Sequence, residues 1–297
     1  MTSPTIDQPS QTTTPTVPAR VGVLGGGRMG AGIAHAFLTN GAEVVVVERD
    51  EPSARAAGNR VTRDIEKSLA REAIPGELAD WTSQLTVSTE HAAFTGCDLV
   101  VEAVPEDWGL KCDSLRSIER HTGEQTWIAS NTSSLSIDGL ADELARPDRF
   151  IGLHFFNPVP ASKLVEVVIG ARTSPQLEQA ALGWVSAIGK TPVVVHDAPG
   201  FASSRLGVAI ALEAIRMVEE GVAAPRDIDN AMVLGYKFPV GPLELTDIVG
   251  LDVRLGIAEY LESRLGPRFA PPQLMREMVA RGELGRKTGK GFYTYTD

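Results

Sequence analysis

A histidine and a glutamate carry the first chemical signal in the sequence. His154 closes an apolar, strand-like run, a turn bracketed by Pro158 and Pro160 follows, and the chain returns through a second run that contains Glu166. The two positions are symmetric about residue 160, so an antiparallel return sets their side chains on one face, roughly 5 Å apart at Cβ. An imidazole whose tautomer is fixed by a carboxylate takes a proton from an alcohol and gives it back, acting as general base and general acid in turn. A lone histidine at a strand end is more often a satisfied structural residue. The pairing separates His154 from His35, His91, His121 and His196, which have no such partner at a telling spacing.

The second signal is a glycine pattern. Val21–Leu24 is a short apolar run, Gly25-Gly26-Gly27-Arg28-Met29-Gly30 follows as Gly-x-Gly-x-x-Gly, and a helix-like segment begins at Ala31. In this fingerprint Gly25 permits the tight turn, Gly27 lets a pyrophosphate approach the backbone, and Gly30 lets helix and strand pack closely. The first-turn amides, Arg28 and Met29 among them, then face the phosphates. The next β-like run ends in Glu48, 18 residues beyond Gly30. A carboxylate there accepts from the adenosine ribose and repels the extra phosphate of NADP, so NAD is the expected cofactor. Arg49 is either a surface cation or, in the alternative reading, a partner for a 2′-phosphate. A glycine turn serving packing alone would not require Glu48.

The elements that must position these groups alternate from Arg20 onward. Val21–Leu24, Val44–Val47, Leu99–Val101 and Trp127–Ala129 are β-like runs separated by helical stretches, which argues for a parallel sheet covered by helices. Between the second and third, Glu51 to Gln84 exceeds a one-helix crossover and reads as an inserted helical hairpin broken at Pro75-Gly76. Strand-like runs continue over Phe150–Leu153, Leu164–Ile169 and Pro192–Val195. After Ala198-Pro199-Gly200 the rest reads as helices, including Phe201–Glu220, Arg226–Leu234 and Leu243–Leu265. In the first, Leu206, Ile210, Ala214 and Met217 mark one face. The expected architecture is α/β: a tail over 1–18, a Rossmann-type domain with an inserted hairpin over 19–197, and a smaller all-α domain over 198–297.

Composition narrows the partners. The chain has 297 residues and a formal net charge of −10, which argues against broad binding to nucleic acid or anionic membrane. Its two cysteines, Cys97 and Cys112, make neither a disulfide framework nor a metal-ligand set, so no metal is expected and a reducing compartment is the simpler reading. Residues 1–18 are rich in Thr, Ser and Pro, with no cationic side chain and no apolar run, and read as a disordered tail on a cytoplasmic protein. No later stretch reaches the ~20 apolar residues needed to span a bilayer.

Gly152-Leu153-His154-Phe155-Phe156-Asn157-Pro158-Val159-Pro160, with Lys163 to Val168 after it, resembles the signature of the L-3-hydroxyacyl-CoA dehydrogenase family. So do Ala129 to Leu135, Pro199-Gly200-Phe201, and Gly285 to Tyr293, and the resemblance runs from about Arg20 to Tyr295. It implies NAD-dependent, reversible oxidation of an L-3-hydroxyacyl-CoA, 3-hydroxybutyryl-CoA for example, with His154 as general base and Glu166 its orienting partner. By the same resemblance Ser133 bonds the substrate oxygen at C3 and Asn157 helps hold the His154 region and substrate, although Ser130 to Ser134 also suit the capping of a helix near Ile137. Glu106 and Lys111 match positions near the cofactor, or are solvated loop charges. Ser204 stands where the family usually has Asn, and contributes a shorter polar group to the substrate site.

Arg60, Arg63, Lys67 and Arg71 fall at spacings of 3, 4 and 4, along one helical face. In the family this insertion borders the acyl-CoA site, so Arg60, Arg63 and Lys67 are expected to meet CoA phosphates, against a solvated face neutralised in part by Glu66. A homodimer through the C-terminal domain is expected by analogy. The basic run Arg286 to Lys290 is either a support for ligand or a surface turn. The rival readings are a dehydrogenase for another 3-hydroxy acid or an acyl-carrier-protein thioester, and a non-catalytic dinucleotide-binding protein.

Overall fold

The structure is a computed structural model, and it describes residues 16–296. Most of the tail expected over 1–18 lies outside the described residues. From Arg20 the order is β1 (Arg20–Leu24), α1 (Arg28–Leu38), β2 (Glu43–Val47), α2 (Glu51–Ala70), α3 (Leu78–Thr82), β3 (Leu85–Ser88), β4 (Leu99–Glu102), α4 (Trp108–His121), β5 (Trp127–Ser130), α5 (Ile137–Ala141), β6 (Phe150–Phe155), β7 (Leu164–Ile169), α6 (Pro175–Ala187) and β8 (Thr191–His196). The strands form one sheet in the order β3-β2-β1-β4-β5-β6-β7-β8. Pairs from β3 through β6 are parallel and β6–β7 is antiparallel. This is the doubly wound, Rossmann-type sheet that the alternation of runs implies.

The central strands β1, β2, β4, β5, β6 and β7 are almost wholly buried on both faces, as a sheet covered by helices requires. Val44, Val45, Val46 and Val47 of β2 are all fully buried. The inserted segment is helical as expected: α2 is capped by Asp50, whose side chain accepts from Ser53 N, and Gly76 at φ 85° turns the chain toward α3. Leu69, Ile74, Leu78 and Trp81 pack the insertion onto the core. The crossover also contains an edge strand that no apolar run announced. Thr86 of β3 is exposed and its other residues only half-buried, so β3 lacks the hydrophobic pattern of a central strand.

By contacts the chain divides into two compact units. One comprises the described residues up to Thr132 with Ile137–Val194, and the other Ser133–Ser136 with the described residues from Val195 on. The second unit is helical: α7 (Ser203–Glu219), α8 (Pro225–Asn230), α9 (Pro242–Val249), α10 (Leu251–Leu265) and α11 (Gln273–Ala280). The single helix read over Leu243–Leu265 is two, because Gly250 adopts φ 105° and interrupts it. The expected face of α7 is also corrected. Of its four residues Ala214 is buried and Met217 packs on the core, but Leu206 is 63% exposed and Ile210 only half-buried; the buried set is Val208, Ala211, Leu212, Ala214 and Ile215. Among the described residues, no helix is long and apolar enough to cross a membrane, and no cluster of His, Cys, Asp or Glu could hold a metal.

Candidate active site

The carboxyl ends of the parallel strands gather the polar groups. Register aligns Val47, Leu24, Glu102, Ser130 and Gly152 in one row across β2, β1, β4, β5 and β6. Successive strand residues alternate faces, so His154, two beyond Gly152, shares the face of Glu102 and Ser130.

Just past the end of β1 the glycine turn has the geometry its pattern requires. Gly25 adopts φ 91°, and a Cβ on Gly30 would stand 1.8 Å from the Gly25 carbonyl oxygen. A Cβ on Gly27 would meet nothing within 4 Å, so that face of the turn is open where a phosphate must approach. α1 starts at Arg28, and Arg28 to Gly30 form the first turn, whose amides a helix leaves without internal acceptors. Past β2, Glu48 accepts from Gly26 N at 2.7 Å and from Arg49 N at 3.1 Å. Each carboxylate oxygen retains a lone pair for a ribose hydroxyl. The residues present therefore fit a dinucleotide.

At the end of β4 lies a network that sequence reasoning caught only in part. Lys111 is 1% exposed, so it is not a solvated loop charge. Its Nζ donates to Glu102 Oε1 at 2.7 Å and to the Val104 carbonyl at 3.2 Å, and lies 3.4 Å from Glu106 Oε2. Glu102, fully buried, also accepts from Val104 N at 2.7 Å and from Ser130 Oγ at 2.5 Å. Thr132 Oγ1 donates to Glu106 Oε1 at 2.6 Å. Lys111 and Thr132 thus hold Glu106 between them. Glu102, Ser130 and Thr132 were missed; an acid closing a fully apolar strand, with a lysine nine residues on, was the available signal.

The strand pair β6–β7 carries the proposed acid–base residues. Its register sets His154 opposite Glu166, and Nδ1 of His154 lies 2.8 Å from Glu166 Oε2. Both side chains are buried, and the His154 ring packs against Phe156 with centroids 4.5 Å apart. Because a carboxylate only accepts, Nδ1 carries the proton and Nε2 holds the lone pair of the neutral ring. The strand end is tied down by Asn131, whose Oδ1 accepts from Phe155 N at 2.8 Å. Asn131 is a further residue that the sequence reading did not single out.

The remaining expected residues lie on other elements. Asn157 is exposed in the turn after β6, at a cis peptide bond to Pro158. Ser133 lies in the segment that belongs with the helical unit, and Ser204 in the first turn of α7. Arg63 and Lys67 are exposed on α2, with Lys67 paired to Asp64 at 3.1 Å. Arg60 is elsewhere: its Nη1 donates to the Gly26 carbonyl at 3.2 Å, on the glycine turn. The run Arg286 to Lys290 is a surface turn held by ion pairs, Arg286–Glu244 at 3.0 Å, Lys287–Asp252 at 2.5 Å and Lys290–Glu283 at 2.5 Å.

Comparison with known proteins agrees with this geometry. Residues 20–198 match the family model described as 3-hydroxyacyl-CoA dehydrogenase, NAD binding domain, and residues 200–295 match 3-hydroxyacyl-CoA dehydrogenase, C-terminal domain. A probable 3-hydroxybutyryl-CoA dehydrogenase of Deinococcus radiodurans is 41% identical, over 93% of this chain and 100% of that protein. The mitochondrial hydroxyacyl-coenzyme A dehydrogenase of Homo sapiens is 40% identical, over 93% of this chain and 90% of its own. The crystal structure of an (S)-3-hydroxybutyryl-CoA dehydrogenase from Ralstonia eutropha superposes with a TM-score of 0.90 at 39% identity, covering 94% of this chain and 100% of that one. With a dinucleotide turn that fits its cofactor and both domain models matched end to end, the chain belongs to the 3-hydroxyacyl-CoA dehydrogenase family, and its N-terminal domain is that family's NAD-binding domain.

Proposed function

We propose that this chain oxidises the C3 hydroxyl of an L-3-hydroxyacyl-CoA, such as 3-hydroxybutyryl-CoA, to the 3-oxo group with NAD+, and catalyses the reverse reduction. The observation that carries the mechanism is the 2.8 Å contact between His154 Nδ1 and Glu166 Oε2 on adjacent strands. His154 takes the hydroxyl proton at Nε2 as the general base. NAD+, when bound, accepts the hydride that leaves C3. Glu166 holds the tautomer and stabilises the imidazolium that forms, and in the reduction His154 returns the proton from Nε2 to the substrate oxygen.

By family resemblance we assign Ser133, Asn157 and Ser204 to the polar shell of the substrate. Gly25, Gly27, Arg28, Met29, Gly30, Glu48 and Glu106 belong to the cofactor, with Lys111 acting through Glu106. Arg63 and Lys67 are the α2 cations assigned to the phosphates of CoA. The Rossmann-type domain over 19–197 carries the cofactor, and the helical domain over 198–297 carries the remaining substrate shell and a homodimer contact. Leu206, Leu234 and Tyr236, all large, apolar and exposed in the helical unit, support that contact. We place the protein in the cytoplasm, a reading supported by two free, buried cysteines.

The test is NADH oxidation with acetoacetyl-CoA, with NADPH and free acetoacetate in parallel. Turnover restricted to NADH and the CoA ester supports the reading; preference for the free acid, or for a carrier-protein thioester, moves it to the rival substrates and to Ser204. In His154→Ala, NADH binding persists and turnover falls by about 10²- to 10⁴-fold. Undiminished turnover would remove His154 from the mechanism.

A further inference from the structure

The glycine turn is gripped from outside the pattern that identifies it. Gly26 is held at both ends of the residue: its N–H donates to Glu48 Oε1 at 2.7 Å, and its carbonyl accepts from Arg60 Nη1 at 3.2 Å. The space beside it is filled as well. A Cβ on Gly26 would stand 2.2 Å from Ala57 Cβ and 3.0 Å from Val46 Cγ1. Ala57 and Arg60 are three residues apart and so share one face of α2. The same helix thus supplies both the steric stop and a polar anchor for the turn.

Arg60 is otherwise exposed, and a guanidinium has five N–H donors in a rigid fork. Its bond to Gly26 fixes the side chain beside the turn and leaves donors for an anion there. Glu48, positioned for the adenosine ribose, holds the other end of the same glycine, so Arg60 lies at the adenosine diphosphate end of the ligand. That position separates it from Arg63 and Lys67, with which sequence spacing had grouped it.

We propose that Arg60 is a positioning residue of the dinucleotide site, fixing the Gly26 carbonyl and facing the adenosine diphosphate portion of NAD, rather than a contact for CoA. The proposal rests on the NAD reading above. An arginine in the crossover helix then sets cofactor affinity, although it lies 30 residues beyond the last glycine of the fingerprint.

Direct binding tests it. NADH is titrated by fluorescence and ADP-ribose by calorimetry into wild type, Arg60→Ala and Arg60→Lys, and the KM for acetoacetyl-CoA is measured at saturating NADH. In Arg60→Ala both dissociation constants rise together by about five- to twentyfold, the KM for acetoacetyl-CoA stays within about twofold, and Arg60→Lys recovers part of the loss. Reduced nicotinamide mononucleotide, which lacks the adenosine half, loses less affinity than NADH. Unchanged binding of NADH and ADP-ribose in Arg60→Ala overturns the proposal, and a rise confined to the acetoacetyl-CoA KM returns Arg60 to CoA. A wild-type chain that fails to bind NADH overturns the cofactor assignment itself, and this proposal with it.

Discussion

The two units of the molecule settle buried charge in different ways. In the NAD-binding unit, buried carboxylates meet basic side chains: the Lys111 ammonium lies against Glu102, and the neutral His154 ring donates from Nδ1 to Glu166. In the helical unit, buried carboxylates are met by neutral donors. Asp229 accepts from Leu243 N, Glu244 N and Tyr293 Oη, and Asp247 accepts from Phe292 N, Tyr293 N and Tyr295 Oη. Its buried cation, Arg254, forms no ion pair among the described residues. Only 7% exposed on the core stripe of α10, Arg254 has an unpartnered Nε, and its Nη1 would lie 2.9 Å from a Cβ on Gly207. Burial alone pulls its pKa down to about 10, so it remains charged at neutral pH. The acid–base contacts stand at the carboxyl ends of the strands, where the proposed site lies, whereas the neutral latches fasten the C-terminal segment to the helices.

Removing one partner of a closed buried pair should have the largest effect. Glu102→Ala leaves the Lys111 ammonium buried with Glu106 at 3.4 Å and one carbonyl, and should cost about 3–5 kcal/mol in urea unfolding. Pairing Glu102→Gln with Lys111→Met should recover most of that loss. A cost below about 1 kcal/mol for Glu102→Ala would show that the pair is not closed, and the contrast between the units would lapse.

The latch comes next. Asp247→Ala strips the acceptor from two backbone amides and one phenol, an expected loss of about 2–3 kcal/mol with earlier proteolytic cleavage near Tyr293. A Cβ on Gly291 would stand 2.0 Å from Asp247 Oδ1, which leaves the latch no slack. If the loss is small and cleavage unchanged, neutral donors are not what fastens the C-terminal segment. Arg254→Met should have the opposite sign, a gain of about 1–2 kcal/mol in thermal unfolding, because it replaces an unpaired buried charge with an apolar chain of similar length. Arg254→Lys keeps the charge and should gain nothing. Destabilisation by the methionine would mean that Arg254 packs better than its missing partners imply.

These differences mark what was legible in the sequence. The glycine turn and the His154–Glu166 register were readable because each depends on local spacing, a fixed fingerprint and a period-two return. The inserted hairpin was readable from its length and from Pro75-Gly76. The Glu102–Lys111 pair was not, since it closes through space between a strand end and a helix. Nor was the buried face of α7: apolar residues at 206, 208–212, 214, 215, 217 and 218 permit several overlapping stripes, and only the packing partners choose among them. Arg60 shares its helical face with Arg63 and Lys67, and tertiary contact with Gly26 alone separates it from them.

The smallest effect concerns a histidine that the NAD-binding unit buries with no ion pair among the described residues, an exception that sharpens the contrast with His154. His35 of α1 is buried, its Nε2 lies 2.9 Å from Ser68 Oγ, and Ser68 Oγ donates to the Asp64 carbonyl at 3.0 Å. The serine hydrogen is thereby committed, so Nε2 of His35 carries the proton, and Nδ1 is sealed without a partner. Burial lowers the His35 pKa below its ordinary 6.5, with Asp64 opposing and Lys190 reinforcing the shift. The folded state then binds fewer protons than the unfolded chain, so this contribution is complete above pH 6.5 and is lost as pH falls toward the depressed folded value. Thermal midpoints measured from about pH 8 down to about pH 5 should decline more steeply in wild type than in His35→Gln, which cannot titrate. Parallel declines would mean that protonated His35 finds a counterion, Asp64 being the nearest candidate on α2, and that this unit pairs its buried histidines without exception.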